Sequence, residues 1–400
     1  MERARIEELA AVYRDGLLDD TLPFWTRHSV DRDRGGFLFC LDRDGTVVDT
    51  DKGVWQHARF TWLLATLYRE VEPRAEWYEL AEHGIRFLRR HAFADDGRMY
   101  FQVTRDGRPL RRRRYVFTEA FGAIAFGAWA AISGDQEAAE TARRLFALVL
   151  AHEATPGLTD PKVDPDTRPT RGLALPMIVL GTARVLRDAL GDATAAAEVD
   201  RAIARVEAFY DREREVVYEL LAADGRALDH FDGRTLNPGH AIEAAWFVLA
   251  EARQRGGDAR LEELGCAMLD CMWRRGWDSE HGGLLYFVDV GGGPVAEYWH
   301  DMKFWWPHAE AILATLFAHL ATGEERYAAW HGEVHRWAHA HFPDPEHGEW
   351  FGYLHRDGRL SVPLKGNLWK GPFHVPRMQL VAWRLLASEL ERPGGSGSRS

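Results

Sequence analysis

Two histidines stand out for what surrounds them. His240 lies in Asn237-Pro238-Gly239-His240-Ala241-Ile242-Glu243-Ala244-Ala245-Trp246-Phe247. On a helix, His240 and Glu243 share one face. His374 lies in Gly366-Asn367-Leu368-Trp369-Lys370-Gly371-Pro372-Phe373-His374-Val375-Pro376-Arg377, again with a charged residue three positions on. An imidazole is neutral or protonated near pH 7 and so suits taking and returning a proton. A polar pair inside an otherwise apolar helix is costly unless it is used or satisfied. A core histidine bonded to its neighbour gives the same pattern, and so does a metal site of two His and a Glu. The carboxylate-bridged helix motif, however, runs Glu-x-x-His in two copies, whereas here the order is reversed and single. No metal is expected.

Other polar groups occupy comparable places: Gln56, His57 and Arg59; Glu119; Lys303, Trp306, His308 and Glu310; and Trp369 with Lys370. Each follows a recurring segment. Asp31-Arg32-Asp33-Arg34-Gly35-Gly36-Phe37 leads to Asp44-Gly45, and Asp95-Asp96-Gly97-Arg98-Met99 leads to Asp106-Gly107. Arg214-Glu215-Val216-Val217-Tyr218 leads to Asp224-Gly225, and Asp278–Tyr286 and Asp344–Phe351 repeat the theme. Each reads as a short hairpin closed by a turn. The period is about 60–67 residues, with the Pro-rich stretch 155–170 where one hairpin is missing, which means six units.

Between the hairpins, helical patterns run near 3–19, 55–71, 76–91, 117–132, 135–151, 173–190, 193–210, 239–255, 258–275, 303–321, 324–341 and 371–391. The first helix of each pair is apolar and the second amphipathic. This predicts an all-α (α/α)6 barrel with short β-hairpins between helix pairs. Each inner helix would begin at one end of the barrel, where the polar residues named above can meet. Residues 1–392 are expected to form a single barrel domain, with a disordered Gly/Ser-rich tail at 393–400.

Composition narrows the classes. The 400 residues are 46% hydrophobic with a net charge of −11, which argues against nucleic acid or an anionic membrane as partner. No apolar run approaches the ~20 residues of a membrane span, and the charged start of the chain is no secretory signal. Three cysteines without ligand spacing fit reduced thiols and a cytoplasmic setting. Sixteen tryptophans serve a core, or offer flat faces to sugar rings. A P-loop is absent, and Arg111–Arg114 reads as a solvated turn, with an anion site as the alternative.

Several segments together resemble the N-acylglucosamine 2-epimerase family, whose superfamily includes cellobiose 2-epimerases and mannose isomerases. They are Leu22-Pro23-Phe24-Trp25, Asp49–Arg59, Asn237–Phe247, Met302–Glu310, Gly348–Leu354 and Lys370–Arg377. The resemblance implies a sugar 2-epimerase in which His240 and His374 exchange the C2 proton of a reducing aldose through a cis-enediolate. It implies Arg59 against the C1/C2 oxygens and Glu243 and Glu310 tuning the histidines. Trp306 and Trp369 would be sugar-stacking walls, with Arg377, His57 and Glu119 as further substrate contacts. It also implies a homodimer, no required cofactor, and ATP as an allosteric activator in the N-acyl branch.

Two departures bear on substrate. The cellobiose and mannose branches have a third histidine on the sixth helix, where this chain has Leu175-Pro176-Met177. That favours N-acylglucosamine/N-acylmannosamine. The N-acyl branch usually has Cys before the Phe-His-Val-Pro-Arg run, where this chain has Pro372, which leaves glucose/mannose epimerisation open. Aldose–ketose isomerisation, an inverting glycosidase using Glu243 and Glu310, and a non-catalytic binding protein are the competing readings.

Overall fold

The computed structural model describes residues 1–392 except 114, 156–157, 161–162 and 165. The tail 393–400 and those parts of the Arg-rich and Pro-rich segments lie outside the described residues. The helices are α1 (Arg3–Asp15), α2 (Leu22–His28), α3 (Val54–Glu70), α4 (Ala75–His91), α5 (Phe117–Ser133), α6 (Gln136–Ala154) and α7 (Ala174–Leu190). There follow α8 (Ala193–Glu207), α9 (Phe231–Arg234), α10 (Pro238–Gln254), α11 (Ala259–Gly276), α12 (Trp305–Thr322), α13 (Glu325–His341) and α14 (His374–Glu391).

The apolar helices α3, α5, α7, α10, α12 and α14 form the inner ring, each packed on the next in chain order, and Phe373, just before α14, meets Trp62 of α3. α4, α6, α8, α11 and α13 lie outside their preceding inner helices. The sixth pair joins the two ends of the chain: α1 packs on α14, and Arg3 Nη2 donates to the carbonyl of Leu390 at 3.3 Å. The predicted helix pairs are present. α5 shows why an inner helix can be buried all round. Its Ala and Gly residues allow close approach, and a Cβ at Gly127 would come within 2.6 Å of Leu186. The turns after α5 and α7 use Gly-Asp. Gly134 (φ 74°) and Gly191 (φ 60°) end α5 and α7 in the left-handed region, and Asp135 and Asp192 cap α6 and α8.

Several boundaries differ from expectation, among them α6, which runs on to Ala154, and α8, which stops at Glu207. The first helix stops at Asp15 instead of 19 and passes through a π-helical turn, Gly16–Thr21, into α2. That wider turn brings Asp20 onto the backbone N–H of Glu349. Lys303 and Phe304 are a strand, not helix, because they pair with Leu354 and Tyr353. Residues 371–373 precede α14, which starts at His374.

At the hairpin end, strands from successive repeats join: Lys52–Gly53 pairs with Gln102–Val103, and that with Pro109–Arg111. Three buried aspartates tie the hairpins together. Asp31 accepts from Lys52 Nζ (2.9 Å) and from Arg105. Asp278 accepts from Lys303 Nζ (3.0 Å) and from Arg356. Asp344 pairs with Lys365 (3.0 Å) and accepts from Arg43. Each Arg belongs to an Arg-Asp-Gly turn. Arg105 and Arg356 reach the aspartate of the preceding hairpin, and Arg43 reaches from the first repeat to the last, closing the circle. Among the described residues no helix is long and apolar enough to cross a membrane.

Candidate active site

A cavity of about 1190 Å³ runs into the barrel from the hairpin end, and His240, His374, Arg59, Glu243, Arg377 and Trp306 are among its lining residues. His240 enters it from the first turn of α10. Asn237 Oδ1 caps that turn by accepting the His240 N–H at 3.2 Å, and Pro238 starts the helix with its φ preset. The His240 ring lies 5.1 Å from the Trp306 ring. Its Nδ1 is held by the carboxylate of Glu219, at 3.0 and 3.1 Å from the two oxygens.

The ring of His374, the first residue of α14, lies 5.7 Å from the same Trp306 ring. Its Nδ1 meets Glu310 Oε1 at 2.7 Å. Trp246 Nε1 donates to the second oxygen of Glu310 at 2.7 Å. Arg377 Nη2 donates at 2.6 Å to Glu243 and at 2.6 Å to Glu310. Arg59 differs from Arg377. Its guanidinium is 3.9 Å from the Phe121 ring, 4.5 Å from Trp55 and 4.6 Å from Phe373, and among the described residues no carboxylate lies within ion-pair distance of it. Burial, together with the charge of Arg377, pulls its pKa down to about 9.

The two imidazoles are therefore unlike. Burial lowers both, but at His240 the charges of Glu219, Glu243 and Glu310 outweigh it and the pKa is raised. At His374, burial is joined by Arg377 and Arg59, and the pKa lies well below the ordinary value. The two rings in one cavity thus differ in how readily each holds a proton.

Among the described residues, one group of three possible metal ligands lies together, Glu243, Glu310 and His374, with ligand atoms within 4.8 Å. The Arg377 guanidinium already bridges the two carboxylates and supplies the positive charge a metal would bring.

Not every predicted contact reaches the cavity. His57 is fully buried beneath the first hairpin: Nδ1 donates to the carbonyl of Gly53 (2.9 Å) and Nε2 accepts the N–H of Phe37 (2.7 Å). His308 does the same for Phe304 and Leu284. Glu119 is also fully buried, accepting from Arg98 (2.6 Å) and from the N–H of Met99 (3.1 Å). These groups hold backbone donors that would otherwise be orphaned, so the structure places His57 and Glu119 as supports of the hairpins, away from the cavity lining. Lys303 pairs with Asp278 and Lys370 with Glu349, both buried. Trp369 does line the cavity, 46% exposed at its mouth. Glu219 was missed. Its only signal was a lone acid in the apolar run Val216-Val217-Tyr218-Glu219-Leu220-Leu221-Ala222.

The model of the family N-acylglucosamine 2-epimerase (GlcNAc 2-epimerase) matches residues 35–374. The chain belongs to this family. It is 37% identical over 384 residues to the N-acylglucosamine 2-epimerase of Bos taurus, covering 94% of this chain and 90% of that one. Among solved structures, the cellobiose 2-epimerase from Spirochaeta thermophila has a TM-score of 0.83 at 23% identity, covering 97% of this chain and 99% of its own. A D-mannose isomerase has a TM-score of 0.80 at 21% identity, covering 93% and 97%. These structural likenesses agree with the (α/α)6 barrel expected from the helix pairs.

Proposed function

We propose that this sugar 2-epimerase interconverts N-acyl-D-glucosamine and N-acyl-D-mannosamine by passing the C2 proton between solvent, His240 and His374. The observation that carries the reading is the pair of imidazoles in one cavity, each fixed through Nδ1 to a carboxylate and each against Trp306. With Nδ1 engaged, Nε2 of each ring is left for the substrate.

Inversion at C2 needs the open-chain aldehyde, a base that removes the proton from one face, and an acid that returns one to the other. The intermediate carries negative charge on its C1/C2 oxygens. Arg59, a cation with no carboxylate at ion-pair distance among the described residues, supports that charge. Trp306 gives a flat face for the sugar carbons. Met177, Ile178 and Phe121 present an apolar wall suited to an acyl methyl group. A metal is not part of the proposal, because Arg377 serves the carboxylates. A homodimer and a cytoplasmic setting belong to the same proposal; all three cysteines, Cys40, Cys266 and Cys271, are free thiols, which supports the latter.

The inverting-glycosidase reading is weaker. Such enzymes space their carboxylates about 6.5–9.5 Å apart to admit a water, whereas Glu243 and Glu310 approach within 4.8 Å and share Arg377.

The test is proton NMR in D2O with N-acetylmannosamine, and separately with mannose, each with and without ATP. Loss of the C2 proton signal and growth of the gluco epimer with N-acetylmannosamine is the expected result. Exchange with mannose alone moves the substrate to free sugars, appearance of fructose makes the chain an aldose–ketose isomerase, and no exchange with either sugar overturns the reading.

A further inference from the structure

Glu219 and Glu310 do the same job for different rings, but their surroundings differ. Glu310 is fully buried, and its charge is shared with Arg377 Nη2 at 2.6 Å and with Trp246 Nε1. Glu219 has a side chain that is 20% exposed, and its only partner among the described residues is His240. Its charge therefore acts on that ring without competition from a cation. Glu219 also comes from a different element from the other charges at the site. It leads into the strand Leu220–Ala222, and its carbonyl accepts the N–H of Leu173 just before α7, so its position is fixed by the fold and not by the substrate.

We infer that Glu219 is a positioning residue for epimerisation: it accepts the Nδ1–H of His240, fixes the tautomer that presents Nε2 to the cavity, and makes His240 the ring that carries the proton in the free enzyme. The inference rests on the proposed role of the histidine pair. A carboxylate behind Nδ1 stabilises imidazolium and orients the ring, while His374, whose carboxylate is neutralised by Arg377, stays the resting base. The free enzyme is then poised for the epimer whose C2–H meets His374. The opposite epimer is turned over only after the proton has moved to the other ring. Other ionisable groups face His240: Glu243 from its own helix, Glu310 from α12 and His374 from α14. Tyr286, beside Glu219, completes the set. Of these, Glu219 alone bonds to the ring, at 3.0 and 3.1 Å from Nδ1; the neutral amide Nδ2 of Asn237 lies farther from the same nitrogen, at 3.2 Å.

The test is NMR titration of the His240 imidazole in the full-length wild type, Glu219→Gln and Glu219→Asp, with the pH dependence of kcat/KM on N-acetylmannosamine alongside. Gln keeps an acceptor for Nδ1–H but removes the charge. The expected result is a His240 midpoint about one pH unit lower in Glu219→Gln, with the alkaline limb of kcat/KM moving down by the same amount, and a midpoint near wild type in Glu219→Asp. An unchanged midpoint in Glu219→Gln overturns the inference, as does a fall in kcat with neither midpoint nor limb displaced. The titration reads His240 whether or not the sugar turns over. If the wild type exchanges no C2 proton, the epimerase reading fails separately from this one.

Discussion

One carboxylate oxygen of Glu310 stands 2.7 Å from Nδ1 of His374 and 2.6 Å from Nη2 of Arg377. The same atom orients the imidazole and neutralises a buried guanidinium. Glu310 therefore supports catalysis and folding through one contact, and the two effects are separable by substitution.

Glu310→Gln keeps the shape and an acceptor but removes the charge. It is expected to lower kcat by about 100-fold or more while the protein remains folded, in the range seen for loss of a positioned acid–base partner. Glu310→Ala leaves Arg377 with Glu243 alone and is expected to cost about 3 kcal/mol in urea unfolding as well. His240→Ala and His374→Ala are each expected to abolish C2 exchange with unchanged circular dichroism. Retention of more than about a tenth of wild-type kcat, a barrier change under ~1.4 kcal/mol, removes that histidine from the mechanism.

Arg59 is a desolvated charge enclosed by Trp55, Phe121 and Phe373, with no carboxylate at ion-pair distance among the described residues. Such a group costs stability in the free protein and repays it only when negative charge develops beside it. Arg59→Met is expected to leave the melting temperature unchanged or raise it, while kcat/KM falls about 100-fold or more. A marked loss of stability in this variant would show that Arg59 is structural.

His57 and His308 are both pushed down to about 3 by burial. In the unfolded chain each titrates near 6.5. Between those values the unfolded state binds more protons, so stability is full above pH 6.5 and falls as the pH drops toward 3. Each contributes up to ~1.4 kcal/mol per pH unit across that window. The check is thermal unfolding between pH 7.5 and 5. The double variant His57→Gln/His308→Gln should be less stable at pH 7.5 and show a shallower decline.

Asp344 is fully buried and held by Lys365 and Arg43, and Arg43 is itself 40% exposed. Arg43→Ala is expected to lower stability by less than Asp344→Ala, because solvent screens the exposed guanidinium. Asp344→Ala strands the buried Lys365 charge and should cost about 3–5 kcal/mol. Urea unfolding giving the opposite order would contradict the staple as described.

The pairing of apolar with amphipathic helices was legible because burial on all sides leaves an unmistakable composition, as in α5. His240 and His374 were legible because each carries a charged residue three positions on, on the same helix face. His57 has the same residue type in the same first turn of an inner helix, and its helix does not reveal that Phe37 aims an N–H at it. A clue lay in the repeats. Gly36 and Gly283 stand against Nε2 of His57 and His308, where a Cβ would approach to 2.7 and 2.8 Å. The Gly-Gly pairs and the two histidines are thus one device used twice. Glu219 was hidden for another reason: its partner is 21 residues away, across a turn and a short helix whose path local patterns do not fix.

The sixth helical pair has consequences for how the chain is made. α1 leaves the ribosome before the other described helices, yet the surface it packs against, α14, is among the last described segments to be synthesised, and Arg43 must likewise wait for Asp344. Helix pairs in between can form as they emerge, but the ring stays open, its inner apolar faces uncovered, until translation has passed His374. A nascent chain stalled before that point lacks one of the two imidazoles and also the seal around the cavity. Such fragments expose the surface chaperones recognise, so premature termination within the last repeat should produce degradation substrates and no weakly active enzyme.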